Sequence, residues 1–308
     1  MLDRLRRSLR YRLGMNQTNI TSERPSSYPF ISGDSFRALA DFIIEDEADF
    51  AKISENLSSV ESGLIVLFVS LSLLEEKRNQ VELCSVLAPK GQVPYEVRII
   101  LHNSDYNVPE QFLCSLLERC SHIFCVNYLG TLKGVTSIPI GLENLHFVRG
   151  GLISRFPYRS HKTSLNKRYF KVNIIFSGFN VSTNRKVREP IDLVVRSSQY
   201  SEFHHFVPPD QYIPRLSSSF FSISPPGNGA DCHRTWESLY LGTIPVILDG
   251  HLSKSLTDNL PIHVVSDYQS FLELSPNQLR ELYSYYSGRS LQIAYMKFWT
   301  DKIFASGY

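Results

Sequence analysis

"FFSISPPGNGADCHRTWESLYLGTIPVILDG", residues 220–250, joins an apolar run, a Pro–Gly turn, an amphipathic segment and a second apolar run. "FFSISP" reads as a strand, "PGNG" as the turn at its carboxyl end, "DCHRTWESLYLG" as a helix and "IPVILDG" as the next strand. Gly227 and Gly229, with Asn228 between them, let the backbone approach a ligand without a Cβ in the way. Asp231 stands where a cap for the following helix is expected. Free N–H groups and the positive end of the helix dipole would then stabilise an anion such as a diphosphate. No Lys follows the second glycine, so this is not a Walker loop and ATP hydrolysis is disfavoured.

Arg234 and Glu237 stand three apart near the start of that helix, so one face can carry both. A guanidinium offers paired donors to phosphate oxygens, and a carboxylate accepts from two neighbouring ribose hydroxyls. The same two residues would equally make an intrahelical ion pair beside an ordinary turn.

Working outward, short apolar runs alternate with helical patterns along the chain. Candidate strands upstream are "YPFIS" (28–32), "LIVLFV" (64–69), "VRIIL" (97–101), "HIFCV" (122–126) and "TSIPIG" (136–141). Between them "SFRALADFIIEDEADFAKI", "LLEEKRNQVELCSVL" and "EQFLCSLLERC" space apolar residues three or four apart. After a polar, basic stretch come "KVNIIFSG" as a strand and "TNRKVREPIDLVVRS" as a helix, leading into 220–250. This alternation predicts an α/β protein of two doubly wound domains with parallel sheets. The expected organisation is a basic N-terminal segment (1–27), a first domain (28–148), a linker (149–168), a second domain (169–275) and C-terminal helices (276–308).

The chain has 308 residues, 43% of them hydrophobic, enough to bury two cores. Lys and Arg total 32 against 30 Asp and Glu, so no global positive charge supports nucleic-acid binding. Five cysteines, odd in number and without C-x2-C pairs, suggest buried thiols in a reducing, cytoplasmic setting. The longest apolar run, "GLIVLFVSLSLL" at 63–74, is too short to span a bilayer. "MLDRLRRSLRYRLG", 1–14, places Leu at helical spacing among Arg; it fits either a solvated helix or peripheral contact with an anionic membrane.

The stretch 212–250 resembles the exostosin family of glycosyltransferases. It has a Tyr and a Leu ahead of the family's "S-K-F", with Ser219 in place of the Lys, then a strand, a Pro–Gly turn, an Arg, a Glu three later and "G-x-I-P-V-I". "FSGFNVSTNRKVR", with its strand, Gly178 and downstream arginines, is similar to the segment that opens the same domain. The resemblance covers roughly 170–270. It implies a GT-B architecture, two Rossmann-like domains facing across a cleft, with a UDP-sugar held by the second and transfer with inversion to a glycan or lipid-linked acceptor. On this reading Arg234 contacts phosphate, Glu237 the nucleoside, and Arg185 or Arg188 the diphosphate a second time. No cofactor and no metal are expected, since no D-x-D pair stands at a strand end and GT-B enzymes stabilise the diphosphate with helix dipoles and basic side chains. The rivals are a non-catalytic nucleotide-sugar or glycan-binding module and an epimerase-like enzyme, for which the N-terminal glycine pattern G-x-x-G-x-x-G is missing.

An inverting transfer needs a base, expected on the first domain. "SGDSFR", 32–37, would follow the first strand beside the topological switch point and present Asp34, which could equally cap a helix from Ser35. His102 and Asp105, in "LHNSD", are the reserve candidates, with a capped loop as the alternative. His204 and His205 fit a solvated loop better than a metal site. Phe220, Phe221, Tyr283, Tyr285 and Tyr286 fit packing better than base stacking.

Overall fold

The computed structural model describes residues 24–147, 150–156, 171–203 and 207–306. The N-terminal 1–14 segment, His204, His205 and all but 150–156 of the expected linker lie outside the described residues. The chain divides into two compact units, Met1–Ile140 with Met296–Tyr308, and Gly141–Tyr295. The helices of 276–308 therefore belong to different units.

The first unit carries a five-stranded parallel sheet whose order in space is its order in the chain: β1 (Phe42–Ile44), β2 (Gly63–Ser70), β3 (Tyr95–His102), β4 (His122–Val126) and β5 (Val135–Ile138). β2 to β4 are buried along most of their length because both faces of the sheet are covered. Helices α2 (Ala48–Ser58), α3 (Lys77–Val86) and α4 (Glu110–Leu117) make the crossovers. Right-handed crossovers stepping one way put their helices on one face, and α2 packs on α3 and α3 on α4. The other face is covered by α1 (Gly33–Arg37) and the C-terminal helix Met296–Ile303. Phe36 of α1 packs on His102 and Trp299, at ring separations of 5.5 and 6.2 Å. Arg98 donates to the carbonyls of Ile303 and Ala305 at 2.5 and 2.8 Å. Arg98 and His102 share this face because strand residues alternate with period two.

Three expectations fail in this unit. Residues 28–32 form no strand of the sheet. Their serines satisfy the backbone locally instead: Ser35 N donates to Ser32 Oγ, Ser27 N to Ser35 Oγ, and Ser35 Oγ to the Phe30 carbonyl. The segment 35–53 is not one helix, since Phe42–Ile44 leaves it to become β1, the Asp41 carboxylate accepting from Val66 N of β2 at 2.9 Å. Two adjacent β-branched residues favour the strand, and a three-residue alternation is too short to contradict a helical period. The strand order never reverses, so this sheet is not doubly wound and has no switch point among the described residues. Cys114 also departs from the expected buried thiols: it is exposed, while burial pushes Cys120 and Cys125 up to about 12.

The second unit is doubly wound. Its parallel strands are β6 (Asn173–Ser177), β7 (Ser201–Phe203), β8 (Ser219–Ile223), β9 (Ile244–Leu248) and β10 (His263–Val265), in the order β10-β9-β8-β6-β7. The chain steps from β6 to β7, then crosses back over β6 to β8 and runs on to β10. Helices α5 (Arg185–Ser197), α6 (Pro209–Ser217) and α7 (His233–Tyr240) follow β6, β7 and β8. The reversal lies between β6 and β8, whose carboxyl ends are neighbours through pairs such as Phe176 with Ser222. In open parallel sheets this is where ligands bind. Phe220, Phe221 and Tyr283 are packing residues, with Phe220 and Phe221 edge-to-face on Tyr283 at 4.8 and 6.3 Å. Tyr286 packs on His263, while Tyr285 is exposed and its ring meets Arg289.

Candidate functional site

The turn after β8 is held from three sides. A ladder of hydroxyls fastens α7 to the strand: Ser222 Oγ meets Ser238 Oγ at 2.7 Å, and Ser224 Oγ meets Thr235 Oγ1 at 2.9 Å and Cys232 Sγ at 3.0 Å. Small hydroxyl residues let helix and strand approach while each buried oxygen keeps a partner. Asp231 is not the N-cap, a position taken by Cys232. Its carboxylate instead accepts from Cys232 N at 2.7 Å and from the indole Nε1 of Trp236 at 2.9 and 3.0 Å. The wholly buried tryptophan N–H outcompetes the helix terminus because it has no access to water.

Arg188, buried on α5, is the third support. Its nitrogens donate to the carbonyls of Pro226 (2.9 Å), Pro225 (3.2 Å) and Asn180 (2.7 Å). Asn184 adds a bond to the Gly227 carbonyl at 2.7 Å. A Cβ on Gly227 would stand 3.3 Å from the Arg188 guanidinium, so this glycine makes room for an arginine of the same protein. Arg188 thus braces the turn from beneath. Arg185 lies on the surface at the start of α5, 77% exposed, with Glu189 at 3.6 Å.

What the turn leaves unpaired defines the site. Gly227 and Gly229 are buried and Asn228 is exposed at the tip. The backbone N–H groups of Gly227, Asn228, Gly229 and Ala230 have no partner among the described residues. Buried N–H groups are rarely left unpaired, so the donors of the buried Gly227 and Gly229 call for water or an anion, with those of Asn228 and Ala230 beside them. The start of α7 adds the positive end of its dipole.

Arg234 projects from that first turn and donates to the Gly178 carbonyl at the end of β6, bridging the two strands of the switch point. Gly178 has to be glycine: a Cβ there would lie 2.6 Å from the Phe176 ring. Arg234 Nε is buried and unpaired. Burial opposes its charge, but Tyr212, Cys232 and Glu237 favour it, and the pKa is raised. Burial and the nearby charge of Arg234 pull Arg188 down. Two like charges held beside one turn are eased by an anion. The expected alternative of an Arg234–Glu237 ion pair does not form; the Tyr212 hydroxyl of α6 donates to Glu237 Oε2 at 2.5 Å. Burial, then the Glu237 charge, hold that phenol well above its ordinary range. The second Glu237 oxygen has no partner among the described residues.

Sequence reasoning passed over His233, the first residue of α7. Its Nδ1 lies 2.8 Å from the Gly141 carbonyl. The available signal was its place in the sequence between the turn and Arg234.

In the first unit the three base candidates differ in access. The Asp34 carboxylate is 0% exposed and accepts three hydrogen bonds from Arg24, the shortest 2.6 Å. The helix cap expected of Asp34 is supplied by Ser32. Its premise also fails, because 32–37 does not follow the first strand of the sheet. His102 is 2% exposed; Nε2 faces the Pro139 carbonyl at 3.1 Å, and Asn103 N donates to Nδ1 at 2.8 Å. Nδ1 also lies 3.2 Å from Asn103 Oδ1, so both ring nitrogens are engaged. Asp105 is exposed just beyond the carboxyl end of β3. Gly33 brings α1 against this loop, since a Cβ there would lie 1.7 Å from Asn103 Oδ1 and 2.9 Å from His102 Nδ1. Among the described residues no three His, Cys, Asp or Glu are grouped to hold a metal.

Comparison with known proteins adds little. No family model and no curated protein matches the chain. Among solved structures it is similar to an alpha-glucosyltransferase in complex with UDP-glucose and DNA containing an abasic site, at 10% identity over 85% of this chain and 87% of that one, with a TM-score of 0.40. A likeness that loose carries no argument about ligand or reaction.

Proposed function

We propose that the protein is a glycosyltransferase whose second unit holds a nucleotide sugar, with the diphosphate at the β6/β8 switch point. One observation carries the reading: four unpaired N–H groups of the turn 227–230 stand with the unpaired Nε of Arg234 at the place where doubly wound sheets bind ligands. The free oxygen of Glu237 suits a ribose hydroxyl. Sugar transfer, as against nucleotide binding alone, is supported by the resemblance of 212–250 to exostosin donor sites and by a second parallel α/β unit to serve the acceptor, as in a GT-B enzyme. On this reading the donor is a UDP-sugar, the acceptor a glycan or lipid-linked hydroxyl, and the transfer inverts the anomeric centre.

Arg234 and the turn supply the charge stabilisation that the leaving diphosphate needs, so the reaction proceeds without a divalent metal. Asp105 is the base. It is the one accessible group of the three candidates, whereas Asp34 would have to give up Arg24 and His102 would have to leave both its partners. Asp34 then has a structural role, anchoring Arg24 and the segment before α1.

A binding module without chemistry is the competing reading, favoured by the engagement of two of the three base candidates. UDP release decides between them. A panel of nucleotide sugars, screened by thermal shift and then for UDP release with glycan and lipid-linked acceptors, is expected to give turnover that EDTA leaves nearly unchanged. Asp105→Asn should lower that turnover by about 100-fold or more with UDP binding retained. Stabilisation by UDP-sugars with no release for any acceptor establishes the module instead.

A further inference from the structure

We infer that His233 is a donor-site residue, hydrogen-bonding the diphosphate through Nε2, so that a proton is taken up onto its imidazole when the donor binds. The inference rests on the donor-site reading above and deepens it.

The geometry begins with Gly141. A carbonyl oxygen only accepts, so the 2.8 Å contact means that Nδ1 of His233 carries a hydrogen in either protonation state. Gly141 has φ 72°, in the left-handed region that favours glycine. With Nδ1 fixed, the state of the ring is written on Nε2, which has no partner among the described residues. It is a lone pair in the neutral ring and a donor in the imidazolium.

His233 opens α7, in the chain directly after the turn whose N–H groups at 227–230 are unpaired and directly before Arg234 with its buried, unpaired Nε. The other charged or titratable groups are Arg234 and Glu237 on its own helix, Asp231 and Cys232 before it, and Glu143 and His146 on the segment carrying Gly141, while Arg188 of α5, Tyr212 of α6 and Tyr268 interact with Arg234 or Cys232. Asp231 is already engaged by Cys232 N and Trp236, and Glu237 by Tyr212. A diphosphate in this site repels an Nε2 lone pair and accepts from an Nε2–H, so the bound state selects the imidazolium. During transfer the bond from the anomeric carbon to the diphosphate oxygen breaks and its electron pair stays on that oxygen. The acceptor oxygen bonds to the carbon and releases its proton to the base. His233 keeps its proton and donates to the oxygen on which charge accumulates.

The test is calorimetry of UDP binding to the full chain at pH 6.5 and 8.5, each in two buffers of different ionisation enthalpy. His233→Asn is the variant, because its carboxamide N–H can still reach the Gly141 carbonyl but nothing in it titrates. The wild type should take up more protons per UDP than the variant, and the variant should bind about tenfold more weakly at pH 6.5 and nearly as well at pH 8.5. Equal uptake and equal affinity at both pH values overturn the role of His233 and leave the donor site standing. A wild type that binds no UDP overturns both. If His233→Asn does not fold, His233→Gln replaces it, and wild-type proton uptake no greater than UDP's own titration overturns the inference.

Discussion

At the scale of single residues the account turns on which polar groups lack partners. Arg234 ties Gly178 to α7 and leaves Nε for a ligand, so Arg234→Ala should weaken UDP by about 2–3 kcal/mol, roughly 30- to 150-fold, with the fold intact. Titration calorimetry beside a circular dichroism melt checks both halves. Unchanged UDP affinity removes Arg234 from the site. Gly33 offers a second test at this scale, since a methyl there runs into Asn103 and His102. Gly33→Ala should cost about 1–3 kcal/mol in urea unfolding. Because Asn103 has φ 64°, Asn103→Gly is tolerated by the backbone, and adding it to Gly33→Ala should recover part of the loss. Full additivity of the two changes would contradict the contact.

At the scale of elements, the join between β8 and α7 is what holds the site. Ser238 Oγ bonds both Ser222 Oγ and the Arg234 carbonyl, whereas among the described residues the Ser222 hydroxyl has only Ser238. Ser238→Ala therefore strands a buried hydroxyl and should cost about 1–3 kcal/mol, Ser222→Ala less, and the double variant less than their sum. Chemical denaturation of the four proteins measures the cycle, and a double variant as costly as the sum would show the two hydroxyls to be uncoupled. This join was legible in the sequence because proline, glycine and a change of period from two to three or four mark its turn. β2, β3, β4, β6, β8 and β9 were legible for the same reason: long apolar runs end in turns. β1, β7 and β10 were not, since each has only three residues and draws its register from a neighbouring strand. The role of Arg188 was hidden too, because a basic residue after a strand looks the same whether it meets a phosphate or three carbonyls.

For the whole molecule, strand order separates the two units. The first steps steadily across its sheet and the second reverses, which puts a crevice at the switch point of the second alone. No local pattern encodes that difference, because strand order is set by which sheet edge receives each crossover. Each unit also holds a histidine down to about 4, one buried and one half-buried. Burial does this to both, His122 and His263, and the charges of Lys302 and Arg98 add to it at His122. Folded-state values below the unfolded 6.5 mean that this stability is fully present above pH 6.5 and is lost as pH falls toward 4. Scanning calorimetry should show the melting temperature falling already between pH 6.5 and 5, before most carboxylates titrate. A flat profile there would mean that both rings find water on protonation.

The central claim is that the switch point of the second unit is a diphosphate site, and a crystal structure of the chain with UDP bound tests it most directly. The account predicts diphosphate oxygens within hydrogen-bonding distance of the N–H groups of Gly227 to Ala230 and of Arg234 Nε, with the ribose at Glu237. UDP bound with its diphosphate elsewhere, or no UDP at saturating concentration, would contradict it.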